Sequence, residues 1–306
     1  MHITELLKQT TGRQFSLEIL PKPGMSTEEN LLLYQKIFAR KPLFVDVPYH
    51  AARSNSGFSG EKDSVLKARP KTKSLAETLI GRYALMPQPH ILCTGFTPEE
   101  TETVLLQLHQ TGVRNLLLLR GDISGDKAPK PRQHAFAYQL VEQVKKLNNG
   151  INFRNEKSAF KTDFCIGVGG YPEPAENFEL SVQYLKQKVA AGADFIITQF
   201  FFDNSRFFAF EKACRNAGIS VPIFPGISPL VSLNLLQKLP AFFKVSVPAA
   251  LQRQINNCTG KAELEETGIH WAVEQASELY EKEFKCVHFF ALSPPRILEQ
   301  VLSKLF

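Results

Sequence analysis

The sequence predicts a single (β/α)8 barrel, an α/β fold of the TIM type, over residues 1–306. Three observations predict it. Strand-like runs alternate with helix-like runs along the chain, the pattern of parallel strands joined by helical crossovers. The strand-like runs are continuous apolar stretches rather than alternating ones, as strands with helices on their outer face must be. Eight such units follow one another without a break. Neither a GxGxxG after the first strand nor a GxxxxGK[ST] loop occurs, so the usual phosphate signatures of an open doubly wound sheet are missing. That open sheet is the alternative architecture.

Phe15–Leu20 is the first strand, ended by Pro21, and Thr27–Arg40 is a helix with Leu31–Leu33 and Ile37 on its apolar side. Leu43–Val47 is the second strand, stopped by Pro48. Residues Arg53–Thr72, rich in Ser, Gly and Lys, carry no periodicity and read as a long surface loop. Ser74–Leu85 is a helix and His90–Cys93 the third strand. Thr97 caps the next helix, with Pro98 at its first position and Glu99 and Glu100 in its first turn, and the helix runs to about Thr111. A proline there gives up an N–H that has no helical partner anyway, and the carboxylates meet the positive end of the helix dipole.

Asn115–Leu119 is the fourth strand, and His134–Leu147 a helix closed by Asn148-Asn149-Gly150. Phe164–Val168 is the fifth, ending in Gly169-Gly170; Glu176–Ala191 is a helix with Gly192 just past its end. Asp194–Gln199 is the sixth strand, Ser205–Ala217 a helix, and Pro222–Phe224 the seventh strand. A helical stretch starts at Ser232, a less regular segment covers Val245–Gln254, and Glu263–Phe284 is a long helix. Val287–Leu292 is the last strand and Pro295–Leu305 the closing helix.

Composition bounds the rest. Hydrophobic residues at 43% and charged residues at 22% describe an ordinary globular chain. The net charge of +6 suits anionic small ligands as well as a plain basic surface. The clearest basic cluster, Lys67–Lys73, is too short for a nucleic-acid stripe. The five cysteines are scattered with no CxxC pair, which argues against a disulfide framework or a zinc site and for a reducing compartment. No apolar run reaches the roughly 18–20 residues of a membrane span and no signal peptide is visible, so the expected location is cytoplasmic, without membrane or nucleic acid as partner.

A barrel builds its active site from the C-terminal ends of its strands. Glu18 lies inside the apolar run FSLEILP. A carboxylate buried there is costly unless paired or functional, and burial raises its pKa toward that of a general acid. Arg120-Gly121-Asp122 ends the run NLLLLRGD, where a guanidinium suits a phosphate and a glycine lets the backbone approach a ligand; a mutual ion pair fits equally. Gln199 ends DFIITQ and offers both a donor and an acceptor, either to a heterocycle or to loop backbone. Phe200-Phe201-Phe202 read as packing rather than a stacking platform. His90 and His288, each in an apolar strand, read as core histidines as readily as catalysts. Spacing reveals no metal-ligand motif and no GxSxG elbow.

FSLEILP, PHILCTG, NLLLLRGD, GGYPE, LKQKVAAGADFIITQFFFD, IFPGISP and HFFALS occur in this order, from about Phe15 to Leu305. Together they resemble the methylenetetrahydrofolate reductase family, in the short form that holds only the catalytic domain. The resemblance implies a flavin-binding (β/α)8 barrel of one-carbon metabolism and methionine biosynthesis. It takes hydride from NADH or NADPH onto FAD and passes it to 5,10-methylenetetrahydrofolate, giving 5-methyltetrahydrofolate. By the same resemblance Glu18 protonates the folate, and Asp122 stabilises the cation that develops beside the flavin. Gln199 bonds the pterin. Arg120 and Lys188 meet the FAD phosphates or ribose, with Gly121 beside them, and Tyr49, His90 and Tyr171 line the flavin.

The chain departs from the family pattern in several places. The first strand reads Leu17-Glu18-Ile19-Leu20 for the usual Phe-Glu-Phe-Phe, and Pro48 replaces a Thr after the second strand. The loop after Glu173 reads Pro-Ala-Glu-Asn and looks shortened, and Leu233 stands where a Phe stacks on nicotinamide or folate. The last strand ends Phe-Phe-Ala-Leu-Ser for Phe-Tyr-Thr-Leu-Asn. These changes fall around the flavin and the nicotinamide. They leave open a ferredoxin or partner flavoprotein as electron donor, and a homo-oligomer. A third reading is a flavin- or folate-binding regulatory or scaffold subunit; the joint presence of Glu18, Asp122 and Gln199 opposes it.

Overall fold

The computed structural model describes residues 1–22, 24–48, 64–121, 133–173 and 177–306; the side chains of 64–71 and 240–242 are not described. Tyr49 and Asp122 therefore lie outside the described residues, as does most of the segment expected to be a loop after the second strand.

Eight parallel strands close into a barrel in sequence order. They are β1 (Gln14–Glu18), β2 (Val45–Val47), β3 (Pro87–Leu92), β4 (Asn115–Leu119), β5 (Cys165–Gly170), β6 (Phe195–Phe200), β7 (Ile223–Ile227) and β8 (Cys286–Phe290). β1 pairs with both β2 and β8, which seals the cylinder and excludes the open sheet. Successive side chains on a strand point to opposite faces. Phe15 and Leu17 on β1, Val45 and Val47 on β2, and Leu116 and Leu118 on β4 accordingly join the large apolar layer between barrel and helices. Their neighbours Phe44, Leu117, Phe195, Ile197 and Phe224 form a separate core inside the barrel.

One end of the barrel is plugged. Helix α1 (Ile3–Gln9) was not expected from the sequence. Its Ile3 is fully buried with Leu43, Phe44, Leu117 and Phe195. The Ile3 N–H donates to Asn115 Oδ1 at 2.9 Å, at the start of β4, so α1 covers the N-terminal end of the strands. The C-terminal end is left as the mouth.

The outer helices follow the expected order with local corrections. The helix expected over Thr27–Arg40 is broken into α2 (Thr27–Leu32) and α3 (Gln35–Phe38), with Tyr34 between them at φ −104° and ψ 3°. Helix α4 spans Ser64–Tyr83, so the last nine residues of the segment expected to be a loop through Thr72 are helical. α5 (Pro98–Gln110) has the expected cap: Thr97 Oγ accepts from the Glu100 N–H at 3.2 Å, and Glu100 returns the bond to the Thr97 N–H at 2.8 Å. α6 (Ala137–Asn148), α7 (Phe178–Ala190) and α8 (Asn204–Asn216) cover the next strands. After β7 the chain makes α9 (Leu233–Phe243) and α10 (Ala249–Asn257); the latter corrects the segment expected to be irregular. Long α11 (Lys261–Glu281) and α12 (Pro295–Leu305) complete the wall. Phe200 and Phe202 are buried in a third apolar cluster with Leu230, Leu239 and Leu251, while Phe201 joins the outer layer, so the aromatic triplet is packing.

Candidate active site at the barrel mouth

Glu18 is the last residue of β1, and the parallel register places Asp46 of β2 directly beside it. Asp46 in turn pairs with Gln88 of β3, so His90, two residues further along β3 on the same face, stands one level nearer the mouth. These side chains meet inside the barrel. His90 Nε2 lies 3.7 Å from Glu18 Oε2 and 3.3 Å from Asp46 Oδ2. On the other side, Ser16 of β1 pairs with His288 of β8, and Ser16 Oγ sits 2.9 Å from His288 Nδ1. His288 Nε2 is 3.6 Å from Asp46 Oδ2.

Burial sets the charge state of this group. Glu18 keeps only 15% of its side chain exposed. Removal from water raises its pKa from 4.5 to about 7, with His90 pulling it down and Asp46 pushing it up. Asp46 is pushed well above the ordinary carboxylate range by burial. Burial lowers His90, against an opposing pull from Glu18, and takes His288 down to about 3. All four shifts favour uncharged forms, so below about pH 7 the set reads as carboxyls and neutral imidazoles, and Glu18 is the member that ionises near neutrality. A carboxyl oxygen of Glu18, one of Asp46 and a ring nitrogen of His90 lie within 4.8 Å of one another. The same Nε2 faces both carboxyls, which is the arrangement of shared protons.

The neighbouring strand ends carry cations and bare backbone. Gly121, just past β4, has φ +80°, and a Cβ there would lie 3.0 Å from Thr94 Oγ1. A Cβ on Gly169, at the end of β5, would lie 3.1 Å from Leu119. Both positions therefore present main chain. Lys188 on α7 reaches back to donate to the Gly169 carbonyl at 2.6 Å, and lies 5.9 Å from the centre of the Tyr171 ring. Burial lowers its pKa to about 8, with Cys93 opposing, and no carboxylate pairs with it among the described residues. Arg120 donates Nε–H to the Ala135 carbonyl at 3.0 Å, and its guanidinium lies 5.1 Å over the Phe136 ring. Gln199, at the end of β6, uses its Oε1 to accept from the Phe200 N–H at 3.0 Å, which leaves its amide N–H groups as donors.

The chain matches the family profile described as methylenetetrahydrofolate reductase over residues 3–305. The chain belongs to that family.

Among its relatives, methylenetetrahydrofolate reductase 1 of Schizosaccharomyces pombe is 28% identical over 301 residues, covering 95% of this chain and 45% of that protein. The 5,10-methylenetetrahydrofolate reductase of Escherichia coli is 30% identical over 297 residues, covering 95% of this chain and 90% of that protein. Methylenetetrahydrofolate reductase (NADH) 1 of Arabidopsis thaliana is 27% identical and is covered over 51% of its length. The chain thus spans about half of the longer relatives and nearly all of the bacterial one. In structure it resembles an uncharacterized Clostridium thermocellum protein described as binding two copies of 5-methyl-5,6,7,8-tetrahydrofolic acid. The TM-score is 0.58 at 14% identity, over 99% of this chain and 97% of the other, which shows the shared fold. No helix among the described residues is long and apolar enough to cross a membrane.

The residues singled out by the reductase motifs occupy one face of the fold. Glu18, His90, Arg120, Gly121, Lys188 and Gln199 all stand at or near the C-terminal ends of β1, β3, β4, β5 and β6. Tyr171 follows β5 and is 45% exposed. The departures from the family pattern lie there too. Pro48 is buried just after β2 and has no N–H to offer. Leu233 is the first residue of α9 and is 50% exposed. Glu173 accepts hydrogen bonds from both the Ser246 N–H, at 3.2 Å, and the Ser246 hydroxyl, tying the loop after β5 to the segment before α10. The structure adds Asp46, His288, Ser16 and Phe136, which the sequence reading did not assign to a site.

Proposed function

We propose that the protein reduces 5,10-methylenetetrahydrofolate to 5-methyltetrahydrofolate, with FAD as hydride carrier and NADH or NADPH as donor. The observation that carries this reading is Glu18. It is a carboxyl at the mouth of the barrel, lifted to about pH 7 by burial, on the residue to which the family motif gives the acid. Such a group still holds a proton near neutrality and can release it in the transition state.

The residues present fit a flavin dinucleotide. Gly121 and Gly169 present main chain that a planar ring can approach. Lys188 and Arg120 are cations suited to a pyrophosphate, and Phe136 offers an aromatic face beside Arg120. Arg120, Gly121, Lys188, His90 and Tyr171 would hold the group, with Tyr49 and Asp122 as the motif's further contacts. When bound, it supplies the hydride that no side chain can carry. The chain's own part is proton chemistry and orientation. The Glu18 O–H bond breaks as an N–H bond forms on the folate, leaving a carboxylate in the wall. The amide N–H groups of Gln199 orient the pterin, and a carboxylate at Asp122 would face the positive charge that develops on the substrate.

The absorption spectrum and anaerobic mixing test the proposal. The purified protein should be yellow. NADH or NADPH should bleach the flavin, and 5,10-methylenetetrahydrofolate should restore its colour. A colourless protein that takes up no added FAD would defeat the reading. Pro48 and the exposed Leu233 favour a second donor, a ferredoxin or flavoprotein. Colour that resists both nicotinamides, but is lost to a chemical reductant and restored by the folate, would establish that alternative.

A further inference from the structure

Below Glu18 the barrel wall holds a line of buried polar groups that the proposed proton transfer does not use. From the wall toward the mouth it runs Ser16 Oγ to His288 Nδ1 at 2.9 Å, His288 Nε2 to Asp46 Oδ2 at 3.6 Å, Asp46 Oδ2 to His90 Nε2 at 3.3 Å, and His90 Nε2 to Glu18 Oε2 at 3.7 Å. Asp46 is 1% exposed. Among the described residues its Oδ1 has no hydrogen-bond partner. Among the described residues its only partners at ion-pair distance are the two imidazoles. A bare carboxylate is very costly in such a place, and a protonated carboxyl much less so. Burial works against a compensating positive charge on either imidazole, because it drives both toward the neutral form.

A neutral His90 raises a problem for the acid. Its Nε2 lone pair stands 3.7 Å from Glu18 Oε2, so a small side-chain shift would let it take the proton that Glu18 must keep for the substrate. We infer that Asp46 is a positioning residue for the acid: its protonated carboxyl donates O–H to His90 Nε2, occupying that lone pair and leaving Glu18 its proton. The inference rests on the reading of Glu18 as the acid. Glu18 is faced by Asp46 on β2, by His90 on β3 and by Tyr34 at the head of α3. Tyr34 stays a phenol, its pKa raised by burial and its oxygen accepting the Leu20 N–H at 3.0 Å. His288 on β8 faces Asp46 from the opposite side and is itself held by Ser16.

Asp46→Asn and Asp46→Ala separate this role from simple packing. Asn keeps a neutral donor toward His90 and should preserve the pH profile of the folate half-reaction. Ala frees the Nε2 lone pair, so His90 and Glu18 form an ion pair and Glu18 deprotonates early. Its alkaline limb should then move down by about one pH unit, with the rate above that limb falling about tenfold and flavin reduction by the donor unchanged. Equal profiles for Ala and wild type, or an Asn variant as impaired as Ala, would overturn the inference. Nitrogen-15 NMR of histidine-labelled wild-type holoprotein gives a readout that needs no variant and no turnover. His90 should stay neutral from pH 5 to 8, and titration near 6.5 would refute the arrangement. If wild type reduces no folate, the proposed function fails, and the NMR result alone decides whether Asp46 holds His90 as described.

Discussion

Replacing Glu18 by Gln should stabilise the protein while abolishing folate reduction. In the unfolded chain this carboxyl ionises near 4.5, and in the folded protein burial delays ionisation to about 7. Below pH 4.5 both states hold the proton and Glu18 has no pH-linked effect on stability. Between 4.5 and 7 the unfolded state gives up its proton first, so stability falls as the pH rises. Above about 7 both states are ionised and the full cost stands. At about 1.4 kcal/mol for each pH unit separating the two values, that cost is about 3 kcal/mol. Gln has nearly the same shape and no charge, so the variant should recover most of it at pH 8 and almost none at pH 4.5. For a chain of 306 residues, about 3 kcal/mol corresponds to a rise in Tm of about 5 °C. Thermal unfolding of both proteins at several pH values, with FAD added at a fixed concentration, reads the difference. A Tm gap that does not widen between pH 5 and pH 8, or a variant less stable than wild type at pH 8, would refute the argument. In the same preparation the donor should still reduce the flavin while the folate no longer reoxidises it. Survival of both half-reactions would remove Glu18 from the role of acid.

Lys188 loses its charge near pH 8, and an anionic ligand prefers the charged form, so FAD affinity should fall between pH 7 and 9.5; Lys188→Met should bind FAD more weakly at pH 7 and show a flatter profile by flavin-fluorescence titration. Gly121→Ala puts a methyl group at φ +80° and 3.0 Å from Thr94 Oγ1, which should cost about 1–2 kcal/mol and reduce flavin retention after gel filtration; unchanged retention and stability would show that the turn relaxes freely. Ile3→Ala removes a fully buried side chain from the barrel's N-terminal plug and should cost about 2–4 kcal/mol in urea unfolding, whereas an unmoved midpoint would mean that α1 does not close the core.

The strand order was legible because its signal is local. A strand covered by helices must be apolar on both faces, and eight such runs can be counted without knowing what they touch. The misjudged elements were those decided elsewhere in the fold. Helix α1 is short and weakly patterned, and it is held by tertiary contacts: Ile3 in the barrel interior, the Asn115 side chain, and His2 against the Asp163 carbonyl at 2.6 Å. The break at Tyr34 has a similar origin. Its hydroxyl accepts the Leu20 N–H from the end of the first strand-like run, and its ring packs in the core, so a distant contact fixes where the helix yields. The segment 249–257 looked irregular because only Leu251 and Ile255 of α10 are buried, too few to print a helical period.

The site was half legible for a related reason. Glu18 stood out because a carboxylate interrupts an apolar strand, and by the same criterion Asp46 in Leu43–Val47 was equally visible. It acquires meaning only through register: Glu18 beside Asp46 on β1 and β2, Ser16 beside His288 on β1 and β8. One residue of slip would turn Asp46 toward the helices and leave Glu18 and His90 as a simple pair. Closing the barrel thus converts five separate strand residues into one buried polar group. The acid that the sequence points to depends on neighbours that only the closed sheet brings to it.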